Sequence, residues 1–297
     1  MTTAYKAIKA QSANFSIRMM CRCAGISTSG FYAWRDRKPS TRKEQDGVLL
    51  EKVKQIHEES RRTYGSPRVH AELVEQGFTV GRNRVARLMA KEGVVGRRKR
   101  AFKKTTDSAH DRPIAANVLK RNFKADEPDK AWVADITYIR THEGWMYLAV
   151  VIDLFSRRVV GWSMAEHMRT ELVLNALQAA LGSRSPHPAG LVFHSDRGSQ
   201  YAAKEYREAL EKAGITCSMS RRANCWDNAV AESFFSSLKT ELVYRSIFLS
   251  RGSAKTRIAE WIEVFYNGKR RHSTNGNVAP REYERRFYAA RSAAEAA

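Results

Sequence analysis

The apolar positions recur with two different periods, and the change falls near residue 130. Before it, the spacing is helical. Ser16–Cys23, a turn through Gly25, and Thr28–Trp34 read as helix, tight turn and second helix, with Ser27 as N-cap. Val48–Ser60 is amphipathic through Val53, Ile56 and the Leu49/Leu50 pair. Ser66-Pro67 opens a helix over Arg68–Gln76, which Gly77 ends. Gly81–Lys91 forms the next, with Val85, Leu88 and Met89 inward and Arg82, Arg84 and Arg87 outward. From Ala131 the period shortens to that of strands: Ala131–Arg140, Trp145–Asp153 and Arg157–Met164. Then follow a helix (Thr170–Leu181), a strand (Gly190–His194), a helix (Ala202–Ala213), a strand (Ile215–Ser218) and a helix (Asp227–Val243).

The order βββαβαβα predicts an α/β core, a five-stranded mixed sheet covered by helices. It is the strand order of the ribonuclease-H-like fold. All-α helix-turn-helix bundles precede it. The expected units are a helix-turn-helix-like segment (1–45), a second helical bundle (46–100), a basic linker (101–127), the sheet domain (128–287) and a flexible tail (288–297).

Charge narrows the partners. The 297 residues hold 52 Lys and Arg against 31 Asp and Glu, a formal net charge of +21. Residues 1–130 carry 29 basic and 14 acidic side chains (+15), and the remainder 23 and 17 (+6). Such an excess points to a polyanion, with nucleic acid first. A helix offering Arg82, Arg84 and Arg87, followed by the run Arg97-Arg98-Lys99-Arg100, suits a DNA groove or phosphate track. No stretch of 18 apolar residues occurs, so a membrane span is not expected and a cytoplasmic location is. Four cysteines form no CxxC pair and the eight histidines are scattered, which argues against a zinc site or a disulfide framework.

Three acidic residues stand out by position. Asp135 lies mid-strand among apolar neighbours, where a carboxylate is costly unless paired, hydrogen-bonded or bound to metal. Asp196 falls just past a buried strand, where open α/β sheets place ligands. Glu232 occupies the first turns of a helix, with Asn228 one turn earlier on the same face. If the first and fourth strands are neighbours, the three carboxylates converge and would hold two Mg²⁺ ions about 4 Å apart for in-line attack on a phosphodiester. The 35 residues between Asp196 and Glu232 decide nothing alone, because four other Asp/Glu pairs share that spacing: Asp36/Glu72, Asp107/Glu143, Asp135/Glu171 and Asp227/Glu263. Only Asp196/Glu232 joins a strand end to a helix opening after a second strand.

The words around these residues, WVADITYI, FHSDRGSQY and CWDNAVAESFFSSLKTEL, resemble the three blocks of bacterial insertion-sequence transposases of the IS-three family. These belong to the DDE transposase and integrase superfamily. The similarity continues through DLFSRRVVGW, YNGKRRHSTNGNVAPREYE and, upstream, RTYGSPRVHAELVEQGFTVGRNRVARLM, about four-fifths of the chain. The resemblance implies a triad of Asp135, Asp196 and Glu232 with Mg²⁺ or Mn²⁺. It also implies a basic residue two turns after the glutamate, matched by Lys239. Retroviral relatives carry a zinc-binding N-terminal domain, whose ligand spacing is absent here. In the family a second reading frame encodes such a chain. An upstream frame supplies a helix-turn-helix and leucine zipper, as partner or fusion.

The expected activity is metal-dependent cleavage and strand transfer at element ends, by a homo-oligomer on double-stranded DNA. The alternatives are a non-catalytic DNA-binding regulator on the same fold and an RNase-H-type nuclease. Among the remaining residues, Trp226, Arg270 and Arg271, with His272, are candidate DNA contacts. Asp153 reads as a turn residue, Asp227 as the N-cap of the Glu232 helix, and His194 as a hydrogen-bonded structural residue. Trp132, Trp145 and Trp162 are expected in the core.

Overall fold

The computed structural model describes residues 2–38, 40–97, 113–184, 190–221 and 225–296. Three short helices come first: α1 (Thr2–Gln11), α2 (Ile17–Cys23) and α3 (Thr28–Arg35). They pack around Ile8, Cys21 and Phe31, with Tyr5 stacked on Trp34 at 5.5 Å. Ser27 caps α3 by accepting from Gly30 N at 3.2 Å. The sequence pattern foresees α2 and α3 but not α1.

A second bundle follows, α4 (Thr41–Glu59), α5 (Ser66–Glu75) and α6 (Arg82–Lys91). Ser40 caps α4 and Pro67 sits in the first turn of α5. Helix α4 begins seven positions before the expected Val48 and runs through residue 45. The apolar stripe that predicts it starts at Val48, whereas capping by Ser40 sets its true start.

The sheet comprises β1 (Ala131–Thr141), β2 (Gly144–Asp153), β3 (Val159–Ala165), β4 (Val192–Ser195) and β5 (Thr216–Met219) in the order β3-β2-β1-β4-β5. The first three strands are antiparallel neighbours, and β4 and β5 run parallel to β1. This is the predicted five-stranded mixed sheet. Helices α7 (Thr170–Ser183) and α8 (Lys204–Lys212) cover one face over Trp132, Ala134, Val151 and Phe193. Gly161 permits the close approach of α7, since a Cβ there would lie 2.3 Å from the Ala176 carbonyl oxygen.

The other face, with Val133, Ile139, Leu148 and Val150, is covered by α9 (Ala229–Glu241) and α10 (Arg251–Glu260). A π-helical turn (Trp261–Tyr266) and α11 (Pro280–Glu295) complete the chain. Helix α11 carries residues 288–295, expected to be a flexible tail, because Glu284 anchors it: its buried carboxylate accepts from Ser156 Oγ at 2.6 Å and Arg158 Nη1 at 2.8 Å.

Both sheet edges carry polar guests. The Asn267 side chain meets the Val159 N–H and carbonyl, each at 3.0 Å. On the far side, Ser218 Oγ accepts from Val118 N (2.9 Å) and Leu119 N (3.2 Å), and Met219 N donates to the Ala116 carbonyl (3.4 Å).

The second bundle docks on the sheet domain through one continuous core, in which Leu49, Val53, Ile56 and Tyr64 join Trp261, Phe265 and Tyr266. Arg271 ties the two together. Its N–H donates to Tyr64 Oη at 2.7 Å, and its guanidinium pairs with Glu72 at 2.7 Å and with Glu75.

Candidate active site

Strand pairing brings the first two carboxylates together. The β1–β4 register pairs Ala131 with Val192 and Val133 with His194, so two residues further on Asp135 stands opposite Asp196. Strand β4 ends at Ser195, which puts Asp196 in the following turn. There its Oδ1 accepts from Gly198 N at 2.9 Å. Asp135 Oδ1 accepts from Ile136 N at 2.8 Å.

Burial first, then the charge of Asp196, then that of Glu232, holds the Asp135 carboxyl well above the usual carboxylate range. The Ile136 N–H and the Lys239 ammonium act in the opposite sense. Glu232 lies half-buried in the first turn of α9, and burial raises its carboxyl too. Lys239, two turns on, has its ammonium 4.9 Å from the Tyr138 ring centroid; burial lowers its pKa and Asp135 opposes that.

The scaffold behind this cluster is densely hydrogen-bonded. Asn228, the residue before α9, donates from Nδ2 to the Ala134 carbonyl at 3.1 Å, fixing the helix start beside Asp135. His194 is buried between Ser218 Oγ (2.9 Å) and Ser220 Oγ (3.1 Å), and burial pushes its pKa down to about 4. It is a neutral structural residue, as expected.

Asp227 is not the N-cap of α9. It is buried one residue earlier and accepts from the Arg221 N–H (2.9 Å), the guanidinium groups of Arg221 (3.0 Å) and Arg121 (2.8 Å), and Asn117 Nδ2 (3.0 Å). Those cations hold its carboxyl far below the usual range. A short 3-10 turn, Cys225–Asn228, delays the helix and turns Asp227 inward.

Several of these partners carry no signal in the sequence: Asn117, Arg121 and Arg221 look like ordinary polar loop residues. Tyr201 is another. It is buried behind the acidic pair, Asp135 and Asp196 contribute to its raised pKa after burial and Tyr206, and its hydroxyl has no hydrogen-bond partner among the described residues.

Family models match the chain in three places: an HTH-like domain over residues 43–102 and integrase core domains over 125–225 and 213–280. The 31 kDa protein of insertion element IS600 from Shigella sonnei is 45% identical over 269 residues, 91% of this chain and 98% of that one. Transposase InsF of insertion sequence IS3A from Escherichia coli K12 is 39% identical over 282 residues, covering 94% and 98%. The chain belongs to the IS3 family of transposases. Among solved structures, the magnesium-bound catalytic core of HTLV-2 integrase matches with a TM-score of 0.41 and 16% identity, over 54% of this chain and 98% of that one.

Family membership leaves each predicted DNA contact to be judged by its place. Arg270 and Arg271, expected as a phosphate contact, are buried and paired with carboxylates of the chain itself. Arg270 binds Glu241 through Nη2 (2.7 Å) and Nε (2.9 Å) and also Ser237 Oγ (3.2 Å). A basic run reads as solvated only when its carboxylates are unseen; here they lie on α9 and, for Arg271, on α5.

Arg84 and Arg87 share Asp46 of α4, at 2.7 and 3.0 Å, while Arg82 is exposed. Arg97 is exposed, and with Arg62 it bears on Arg245, whose pKa is lowered by burial first and then by those two charges. Arg98, Lys99, Arg100 and the side chain of Trp226 lie outside the described residues.

Trp132 is buried and Trp162 partly buried against the core; they donate to Asp129 Oδ1 (2.9 Å) and Glu263 Oε1 (2.8 Å). Trp145, expected in the core, is instead 47% exposed: it lies one residue past the β1–β2 turn, opposite the exposed Arg140. Asp153 holds its turn as expected, accepting from Ser156 N at 2.8 Å, and burial raises its carboxyl to about 6.

Proposed function

We propose that Asp135, Asp196 and Glu232 form the reaction centre of a DNA transposase, a DDE-type polynucleotidyl transferase. It cleaves the phosphodiester at the element end and joins the freed 3′-OH to target DNA. One observation carries this reading: the register sets Asp135 opposite Asp196, and α9 delivers Glu232 and Lys239 close enough for their charges to act on Asp135.

The donor set is three hard carboxylate oxygens, which suits Mg²⁺ or Mn²⁺. Among the described residues no three acidic, His or Cys side chains are gathered as a ready-made cage. The fit rests on the crowded Asp135–Asp196 pair, whose mutual repulsion a divalent cation relieves. Asp135, Asp196 and Glu232 would hold a pair of such ions, which when bound would activate the attacking oxygen and stabilise the leaving one.

The chain's own residues do the rest. Asn228 and the Asp227 hub fix the start of α9 and thus the height of Glu232 along β1. Lys239 presents its ammonium to the phosphate of the DNA end. His194 stays neutral, so it adds no cation between the strands that carry the acidic pair.

Phosphates further along the duplex are gripped by the exposed cations of the second bundle and its surroundings, Arg82, Arg97 and Arg62 with Arg245, and by the run Arg98-Lys99-Arg100. Residues 43–102, which match an HTH-like domain, supply that grip. No helix among the described residues is long and apolar enough to cross a membrane. Concerted joining of two ends calls for a homo-oligomer on DNA, with an upstream-frame protein as partner or fusion.

The test incubates labelled element-end DNA with Mg²⁺ and compares wild type with Glu232→Gln. Metal-dependent nicking and joining by the wild type alone is expected. Binding without either, even with the upstream-frame protein present, refutes the transposase reading. A Glu232→Gln variant as active as wild type refutes the site.

A further inference from the structure

Beyond Asp135 the sheet leaves an aromatic surface uncovered. Strand β4 stops pairing with β1 at Val133, so the last residues of β1 pair only with β2. In that hairpin Tyr138 faces Tyr147 and Arg140 faces Trp145, which places all four on one side of the sheet. Tyr138 is 40% and Trp145 47% exposed, and their rings meet edge to face at 5.2 Å. Arg140 is exposed beside them. The Lys239 ammonium lies over Tyr138, and its charge also acts on Asp135. Alternation puts the aromatic pair on the sheet face opposite Asp135, and Lys239 of α9 joins the two at the edge of β1 that β4 leaves unpaired.

The backbone beneath the pair is held firmly. His142 N donates to the Phe248 carbonyl (2.9 Å), Arg251 N to Glu143 Oε2 (2.7 Å), and Arg251 Nε to the Trp145 carbonyl (3.2 Å). Rings fixed in this way lose little freedom when a flat ligand lands on them. An exposed indole met edge to face by Tyr138, with Arg140 and Lys239 nearby, matches an unstacked nucleobase with its phosphodiester chain alongside. An apolar protein surface would cover the rings but leave both cations without counter-charge.

We propose that Tyr138 and Trp145 form a stacking platform for an unpaired base at the DNA terminus, with Arg140 and Lys239 flanking its backbone. The proposal rests on the assignment of Asp135, Asp196 and Glu232 as the reaction centre, since that is what puts a DNA end beside the platform. It adds a reason for the enzyme to prefer a frayed terminus over a blunt one.

The probe is a duplex of the element's terminal repeat whose last two nucleotides are unpaired, one of them 2-aminopurine. Binding is read in the Glu232→Gln background, so that no turnover intervenes, and cleavage is read in wild type. Stacking quenches 2-aminopurine. The quench should be strong with Trp145 present, persist in Trp145→Phe, and be lost in Trp145→Ala and Tyr138→Ala.

Cleavage of the frayed DNA should fall about tenfold in the two alanine variants, the size of one lost base–aromatic contact. Cleavage of the blunt duplex should change much less. Trp145→Leu keeps apolar bulk without an aromatic face and repeats the test should the alanine variant melt early. An unchanged quench and unchanged preference for frayed ends in these variants overturn the proposal. So does a change in oligomeric state with the quench intact, which makes the surface a protein interface. If Glu232→Gln cleaves like wild type while the quench still depends on Trp145, the reaction-centre assignment fails and the platform stands as a DNA site.

Discussion

Replacing Arg270 with alanine separates two roles for the same side chain, a structural ion pair and a phosphate contact. Arg270 is 2% exposed and Glu241 7%, and three hydrogen bonds of 2.7–3.1 Å join them. Removing one partner of a buried pair leaves the other charge uncompensated, at a cost of about 3–5 kcal/mol. Arg68, whose guanidinium is 3.9 Å from the Glu241 carboxylate, remains a partial partner and moves the expectation to the lower end. For a domain of this size that loss lowers Tm by on the order of 10 °C. The double variant Arg270→Met, Glu241→Leu should recover most of it, because a neutral pair of similar volume removes both desolvation penalties. The assays are thermal unfolding without DNA and, below the melting range, DNA affinity as a function of salt. Each phosphate contact contributes roughly 0.9 to the slope of log K against log salt. The structure calls for a lower Tm with an unchanged slope. A Tm within a degree of wild type, with the slope reduced by about one, would establish Arg270 as a phosphate ligand and refute the argument.

Three further outcomes follow from the packing and the charge. Gly161→Ala places a methyl 2.3 Å from the Ala176 carbonyl oxygen and 2.5 Å from the Ala180 nitrogen, so α7 must move; a loss of about 3 kcal/mol or more is expected in denaturant unfolding. Asp227→Asn weakens the hub that joins Arg121, Arg221 and Asn117 ahead of α9. Cleavage should fall at least tenfold while DNA affinity holds, and an equal fall in both would show that the hub serves binding instead. His194 has a folded pKa of about 4 against 6.5, so the unfolded chain takes up its proton first. Its contribution is present above pH 6.5 and is lost as pH falls to 4, on the order of 3 kcal/mol. Asp153, raised to about 6, contributes with the opposite slope, its stabilisation being lost as pH rises from 3.8 to 6. His194→Asn should therefore leave a variant that loses less stability than wild type on acidification, measured as the denaturation midpoint at pH 7 and pH 4.5.

The strands were legible in the sequence because local pattern determines them, and the same pattern singles out the residues proposed for the reaction centre. Alternation marks β1 to β3, and an aspartate amid Val133, Ala134 and Ile136 is conspicuous in any strand. The approach of Asp196 to Asp135 followed from β1 and β4 being neighbours. What escaped was set by contacts distant in the chain. Arg271 looks solvated until Glu72 and Glu75 arrive from a bundle about two hundred residues upstream. Asp227 looks like a cap until Arg121 reaches it across 106 positions. Trp145 follows the alternation of a core residue, yet it lies at the hairpin tip and stays exposed. Helix α1 has only Ile8 buried and thus almost no apolar stripe to announce it.

The polar guests on the two outer strands bear on assembly. An outer strand with free N–H and carbonyl groups is a template for pairing with another chain. In this protein the segment at Ala116–Leu119 occupies the β5 side, and the Asn267 amide occupies the start of β3. A second copy would therefore find the backbone groups of Val159 and of the β5 end already engaged, and sheet-to-sheet pairing at those two places is disfavoured.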